Sequence, residues 1–185
     1  MDAIVALHSR VSQPALTSPA PSGQAWDDIA KAALRAADHA MLRPWRFLVL
    51  EGEDLHRLGE LFVTARLAIE PDLSERELRR TRSRPLRAPM VIVAIASPKA
   101  NTKVPEIEQI LSAGAAVQNL INAAHAQGFG AMWRTGDFAY DPAVKAGLGL
   151  HAEERIVGFV YLGTVADVRK ASRPPEPVKF FTAWD

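Results

Sequence analysis

The order of hydrophobic patterns along the chain predicts one α/β or α+β domain, residues 1–185, built on a mixed sheet. Helical periodicities outnumber the strand-like runs, and helices separate those runs from one another. The length of 185 residues suits one domain, and a hydrophobic content of 48% provides for a substantial core.

Composition excludes several classes of function. The formal net charge of +1 argues against steering of nucleic acid by the whole molecule. The absence of cysteine excludes disulfides, thiolate metal sites and cysteine nucleophiles, and the five histidines lack metal-ligand spacing, so no metal site is predicted. The N-terminus lacks a secretory signal and no apolar run spans a bilayer. We therefore expect a cytoplasmic protein with no membrane partner.

The first half of the chain alternates helices with one strand. A short helix is expected over residues 2–9 and a proline-rich loop over residues 13–23. The hydroxyl of Ser22 is expected to cap the next helix. That helix brings Arg35 to its C-terminal end, where a cation suits the helix dipole. Further elements are a strand at 46–51, an amphipathic helix at 55–69 and a short basic helix, capped by Ser74, to about residue 82.

The second half contains the strongest strand signal. Residues 88–96 are apolar on both faces, which predicts a strand inside the sheet. A long helix from Pro105 to about Gln127 follows, and its small central residues predict close approach of another backbone, in the domain or at a subunit contact. A strand from Ala131, a helix at 142–147, a strand at 156–163 and an aromatic tail complete the chain. The tail is expected to pack on the domain or on a partner subunit.

Two features imitate phosphate or nucleic-acid motifs. Gly147 to Ala152 matches G-x-G-x-x-A but follows a helix instead of a strand, which favours a helix end and a turn. Six arginines lie between Arg76 and Arg87, with no interleaved aromatic residues for base stacking. We interpret this run as a solvated helix face and linker, and a basic nucleic-acid-binding surface is the alternative.

Three stretches suit a flavin, because each offers cations or hydroxyls for phosphate and ring contacts. For each stretch alone, a structural role as a dipole complement or a core tryptophan is an open alternative. The residues are Arg10 and Ser12 after the first helix, Arg35 and His39 after the second, and Trp133, Arg134 and Thr135 at the end of a strand.

Together these segments resemble the nitroreductase family of FMN-dependent oxidoreductases, and most closely its compact bacterial NAD(P)H-dependent members. The matching features are Arg10-Val11-Ser12, the block from Ala37 to Phe47, and the segment from Gln127 to Thr135 followed by residues 156–163. Their order and spacing cover nearly the whole chain, which is more specific than any one motif.

The resemblance implies an α+β fold with a mixed, mostly antiparallel central sheet flanked by helices. It also implies a homodimer with FMN at the interface and an exchanged C-terminal tail. NAD(P)H would be the electron donor and a nitroaromatic, a quinone or a similar small oxidant the acceptor, in a ping-pong cycle without a catalytic side chain. Another reduction on the same fold, such as dehalogenation or enone reduction, is the alternative.

The resemblance also assigns residues. An NAD(P)H contact is expected near Ala123 to Gly128. Two positions depart from the family pattern: Val11 stands where a second arginine is usual, and Arg43 stands where glutamine precedes Pro-Trp. Val11 can therefore offer only a backbone contact. The expected FMN contacts are Arg10, Val11, Ser12, Arg35, His39, Trp133, Arg134 and Thr135.

Overall fold

A computed structural model of the chain describes residues 1–100, 103–167 and 175–184. No helix within these ranges combines the length and apolar character that crossing a membrane requires. The helices are α1 (Ala3–Ser9), α2 (Gly23–Ala33), α3 (Glu53–Ile69), α4 (Glu75–Arg82), α5 (Glu106–Ala126) and α6 (Pro142–Gly147). The strands are β1 (Leu16–Thr17), β2 (Trp45–Glu51), β3 (Met90–Ala96), β4 (Gly130–Arg134) and β5 (Arg155–Val165).

The five strands form one sheet in which β5 is the central element. It pairs with β3 along one edge and with β4 along the other, while β3 also pairs with β2. The two-residue β1, within the segment predicted as a loop, pairs with the end of β5. Every pairing among the described strands is antiparallel, which confirms the prediction of an α+β fold with a mostly antiparallel sheet.

Both faces of the sheet are covered, because all residues of β3 are buried as predicted. Alternate side chains of a strand point to opposite faces. Val91, Val93 and Ile95 therefore pack in one cluster with Phe62 of α3. The other face packs against α2 and α5, in a cluster that contains Ile92, Ala94, Ile29, Val117 and Leu120.

The helix ends show where local prediction holds and where it does not. Ser74 and Glu77 form the reciprocal capping box that starts α4, as expected from Ser74. Ser22 precedes α2, but its hydroxyl accepts no hydrogen bond from the first turn, so that prediction was wrong. Gly23 has φ +53°, a left-handed conformation that glycine adopts without strain, and this entry geometry is not that of a capped helix.

The C-terminal segment does not join the core in the part that the structure describes. Residues 175–184 are exposed, and the largest of them are Phe180, Phe181 and Trp184. The remainder of the predicted tail, residues 168–174 and 185, lies outside the described residues.

Candidate functional site

The segment from Arg10 to Ser12 leaves α1 and is held between β4 and α5. The backbone N–H of Gln13 donates to the carbonyl of Ala131 in β4 at 2.9 Å. Ser9 Oγ lies 2.9 Å from His125 Nε2 near the C-terminal end of α5. These two contacts fix the half-buried Arg10 at that end of the helix.

The charge of Arg10 has no carboxylate counter-ion in the part of the chain that the structure describes. No carboxylate among the residues described lies within 4 Å of its guanidinium. Partial burial, and then the charge of Arg10, lower the pKa of His125 below its ordinary value of 6.5, so the imidazole is neutral at pH 7. Arg10 is thus a cation beside the segment from Ala123 to Gly128, and its surroundings suit an anionic ligand.

Consecutive residues at the end of β4 serve different faces of the sheet. The indole Nε1 of Trp133 donates to the carbonyl of Val157 at 3.1 Å, and the ring packs with the cluster on the α5 side. The guanidinium of Arg134 lies 5.7 Å from the ring centroid of Tyr161, on the α3 side. Thr135 is exposed beyond the strand. The side chains of Trp133 and Arg134 therefore lie on opposite faces of the sheet.

One glycine, Gly158, makes room for the indole of Trp133. A Cβ at Gly158 of β5 would collide with the Trp133 ring, so a side chain there would displace the indole. Gly114, in the small-residue middle of α5, places its Cβ position 4.0 Å from the same ring. This is an ordinary van der Waals distance, so the predicted close approach of another backbone at the middle of α5 stays a prediction.

Arg35 and His39 lie at the opposite end of α5. Nδ1 of His39 is 2.8 Å from Oε2 of Glu108 in the first turn of that helix, and both side chains are exposed. Ser112 Oγ donates to the carbonyl of Ala37 at 2.6 Å and fixes the segment there. Arg35 is exposed in the turn after α2, which ends at Ala33.

Five of the eight predicted flavin residues therefore fall into two groups at opposite ends of α5, and Trp133, Arg134 and Thr135, at the end of β4, belong to neither group. At a rise of about 1.5 Å per residue, Glu108 and His125 are about 25 Å apart along α5. One group contains Arg10, Val11 and Ser12, near the C-terminal end of α5. The other contains Arg35 and His39, near its N-terminal half.

The loop after His39 is strained. Ala40, Met41 and Arg43 have φ values of 60°, 52° and 49°, in the left-handed region that side chains disfavour. Residues held in such conformations cost about 1–3 kcal/mol each and cluster at ligand sites. Asp38 stabilises the loop by accepting a 2.7 Å hydrogen bond from the backbone N–H of Arg43. The strain makes this loop a candidate for a functional element beside His39.

A further cavity, of about 470 Å³, opens on the α3 side of the sheet. Sequence reasoning missed it, although the arginine run that supplies most of its charge was noticed. Trp133 and Thr135 border it as well. Its charged and aromatic lining consists mainly of Arg80, Arg84, Arg87, Arg134, Phe138 and Tyr161.

Comparisons with known proteins agree with the fold and cover nearly the whole chain. The model of the Nitroreductase family matches residues 8–164. The Escherichia coli K12 protein named "Putative NAD(P)H nitroreductase YdjA" is 39% identical over 183 residues, which are 98% of this chain and 99% of that protein.

Solved structures share the fold at lower identity. A nitroreductase-like family protein from Bacillus cereus superposes with a TM-score of 0.84 at 20% identity, covering 100% of this chain and 97% of that one. A nitroreductase with bound FMN from Bacteroides fragilis gives a TM-score of 0.76 at 20% identity, with 100% of both chains covered.

Proposed function

This chain belongs to the nitroreductase family, and from that premise we propose that it is an FMN-dependent oxidoreductase that uses NAD(P)H. Its acceptors would be nitroaromatics, quinones or similar small oxidants. The observation that carries the proposal is Arg10, an uncompensated cation fixed between β4 and α5 by contacts on both sides. The 39% identical relative carries the name "Putative NAD(P)H nitroreductase YdjA", which supports the donor and the nitro acceptor.

The residues present fit an anionic flavin. The phosphate and the pyrimidine edge of FMN need positive charge and hydrogen-bond donors, and Arg10, Ser12 and Arg35 offer both. When bound, FMN supplies hydride-transfer chemistry, and NAD(P)H and the oxidant would use one face of it in turn. The B. fragilis protein of this fold holds FMN.

The role of the protein is then electrostatic and positional. A guanidinium such as that of Arg10 stabilises negative charge as it develops, and it acts more strongly in a site sheltered from water. The neutral His125 beside it adds no competing charge and holds Ser9, so the end of α1 stays in place. No side chain needs to exchange a proton with the substrate, and we assign no general acid or base.

We further propose that two chains complete each site. A single chain separates Arg10 from His39 by most of the length of α5. Apolar side chains of α1 and α5 stay exposed in the single chain, and a homodimer interface would bury them. They include Ile4, Val5 and Leu7 of α1 and Ile107 and Leu111 of α5, and the exposed tail aromatics Phe180, Phe181 and Trp184 suit an exchanged tail.

An absorbance spectrum of the pure protein tests the cofactor directly. We expect a yellow protein that consumes NAD(P)H in the presence of a nitro compound or a quinone. A panel with halogenated and enone acceptors separates a nitroreductase from another reduction on the same fold. A colourless protein that takes up no FMN on titration would overturn the proposal.

Replacing Arg10 with alanine tests the cation. We expect Arg10→Ala to weaken FMN binding by about 1.5–3 kcal/mol, the range for a hydrogen bond to a charged group. Fluorescence titration of FMN measures the change. Arg57→Ala is the control, because Arg57 is exposed and pairs with Asp54 on α3, away from β4. Equal affinity in both variants would remove Arg10 from the site.

Mixing two defective chains tests whether the site is shared. Arg10→Ala and His39→Ala should each lose flavin affinity as homodimers. In a heterodimer, one site combines the two intact side chains and the other combines the two defects. We therefore expect co-expression to restore flavin binding to one site in each heterodimer. No restoration would mean that one chain supplies both residues.

A further inference from the structure

The arginine run from Arg76 to Arg87 divides into two sets in the folded chain. Arg79 lies 3.6 Å from Glu75 of the same helix, and Arg82 pairs with Glu60 of α3. These ion pairs belong to an ordinary helix surface. Arg80, Arg84 and Arg87 line the cavity on the α3 side, and Arg134 of β4 joins them there.

The four cavity arginines differ from Arg79 and Arg82 in their lack of carboxylate partners among the described residues. None of them lies within 4 Å of an Asp or Glu oxygen in residues 1–100, 103–167 and 175–184. Glu70, Asp137 and Asp141 line an adjoining hollow with Arg84, and Glu70 there bonds Arg66 at 3.1 Å. The cavity therefore gathers positive charge that no carboxylate of the described residues neutralises by a direct ion pair.

This concentration of charge is costly in the absence of an anion. Burial lowers the pKa of Arg84, and the neighbouring charges of Arg66, Arg87 and Arg80 lower it further. Arg84 remains a cation at neutral pH, because a guanidinium does not lose its proton under these conditions. An anion between these guanidinium groups would relieve their repulsion.

The inner wall of the cavity is aromatic. Phe62 and Phe138 stack with centroids 4.1 Å apart, and the guanidinium of Arg84 lies 5.0 Å from the Phe138 centroid. Burial raises the pKa of Tyr161, so its hydroxyl stays protonated and can donate. The wall holds the guanidinium groups of Arg84 and Arg134 over rings, which limits the freedom they lose when a ligand binds.

We propose that this cavity binds an oxyanion, the phosphate or carboxylate group of a small molecule, between Arg84, Arg87 and Arg134. Its volume of about 470 Å³ lies in the range of small-molecule sites. Arginine suits such a group because its planar fork donates two parallel hydrogen bonds to a carboxylate or phosphate. Nucleic acid fits less well, since the aromatic rings are buried in the wall and offer no surface for stacked bases.

The site lies on the other face of the sheet from Arg10, although Trp133, Arg134 and Thr135, which were also predicted to contact FMN, border it. Arg134 faces the α3 side of the sheet, whereas Ser9, His125 and the ring of Trp133 mark the α5 side. The proposal therefore stands whether or not the chain binds FMN.

Calorimetric titration of the full-length protein tests the proposal with inorganic phosphate, phenyl phosphate, benzoate and, as a cation, benzylamine. We expect at least one oxyanion to bind with a Kd below about 1 mM, and benzylamine not to bind. Tighter binding of phenyl phosphate or benzoate than of phosphate would indicate an organic ligand, and tightest binding of phosphate itself a free anion. Binding of no oxyanion would overturn the proposal.

Matched double variants locate the binding. Arg84→Gln/Arg87→Gln should weaken oxyanion binding at least tenfold, and the charge-preserving Arg84→Lys/Arg87→Lys should recover part of it. Arg76→Gln/Arg79→Gln removes the same charge from the same run outside the cavity and should leave binding unchanged. Equal loss in both glutamine variants, or release of flavin during the titration, would overturn the assignment. A single-stranded oligonucleotide that binds more tightly than every small oxyanion would favour nucleic acid instead.

Discussion

Arg46 and Arg84 are both half-buried arginines on the α3 side of the sheet, yet the chain treats them differently. Arg46 forms two hydrogen bonds of 2.7 Å with Glu154, whose side chain is only 3% exposed, and its pKa is raised chiefly by this contact. Arg84 has no carboxylate partner among the described residues, and burial lowers its pKa. One charge is compensated from within the chain, and the other is not.

The presence or absence of a carboxylate partner distinguishes an arginine that stabilises the fold, such as Arg46, from one whose charge is available to a ligand, such as Arg84. A buried carboxylate such as Glu154 is tolerated because a bidentate partner and a backbone N–H, that of His151, satisfy its oxygens. An uncompensated guanidinium such as Arg84 or Arg10 adds nothing comparable to folding. Positions of this second kind are where binding energy is available, because the ligand supplies the missing charge.

Removing the carboxylate of the compensated pair should have the largest effect. We expect Glu154→Gln to lower the free energy of unfolding by about 2–4 kcal/mol, slightly below the range for fully buried pairs because Arg46 is 34% exposed. Urea denaturation measures the change. Glu153→Gln is the matched control, because Glu153 is adjacent in sequence and its side chain is exposed. Equal stability of the two variants would contradict a structural role for the pair.

Acid should remove the same stabilisation gradually. The hydrogen bond from Arg46 is the main cause that lowers the pKa of Glu154 from 4.5 to about 2 in the folded state. A lowered pKa means that the contribution is complete above pH 4.5 and is lost as the pH falls through about 2. We expect it to amount to about 2–3 kcal/mol.

The variant isolates this one group from the other carboxylates. The difference in unfolding free energy between the wild type and Glu154→Gln should be constant from pH 7 to about 5 and should shrink steadily below that. A difference that is independent of pH down to about 2 would show that Glu154 does not titrate as this ion pair requires.

The contrast between the two arginines also shows which contacts can be predicted from sequence. The capping box of Ser74 and Glu77 involves neighbours three residues apart, so a local pattern predicts it. The pairing of Arg46 with Glu154 spans 108 residues, and nothing local distinguishes Glu154 from Glu153. The packing of α4 against α3 decides which arginines of the Arg76–Arg87 run have a carboxylate partner. Local sequence patterns do not contain that information.

The candidate site shows the same limit. The sequence predicted three flavin-like segments, because each follows a recognisable helix or strand. It did not show that α5 holds Arg10 and His39 at opposite ends, since that depends on the tertiary contacts of Ser9 and Glu108. It also treated Trp133 and Arg134 as one cluster, although strand alternation sends them to opposite faces.

Substituting the uncompensated arginine should have the smallest effect on folding. Arg84→Gln loses a cation–π contact with Phe138, worth about 0.5–1 kcal/mol, and relieves repulsion from Arg87 and Arg80. We therefore expect the unfolding free energy to change by less than about 1 kcal/mol at low salt. Arg46→Gln leaves Glu154 buried without its partner and should cost at least about 2 kcal/mol under the same conditions. Equal losses would mean that Arg84 also stabilises the fold, and the distinction between compensated and uncompensated arginines would fail.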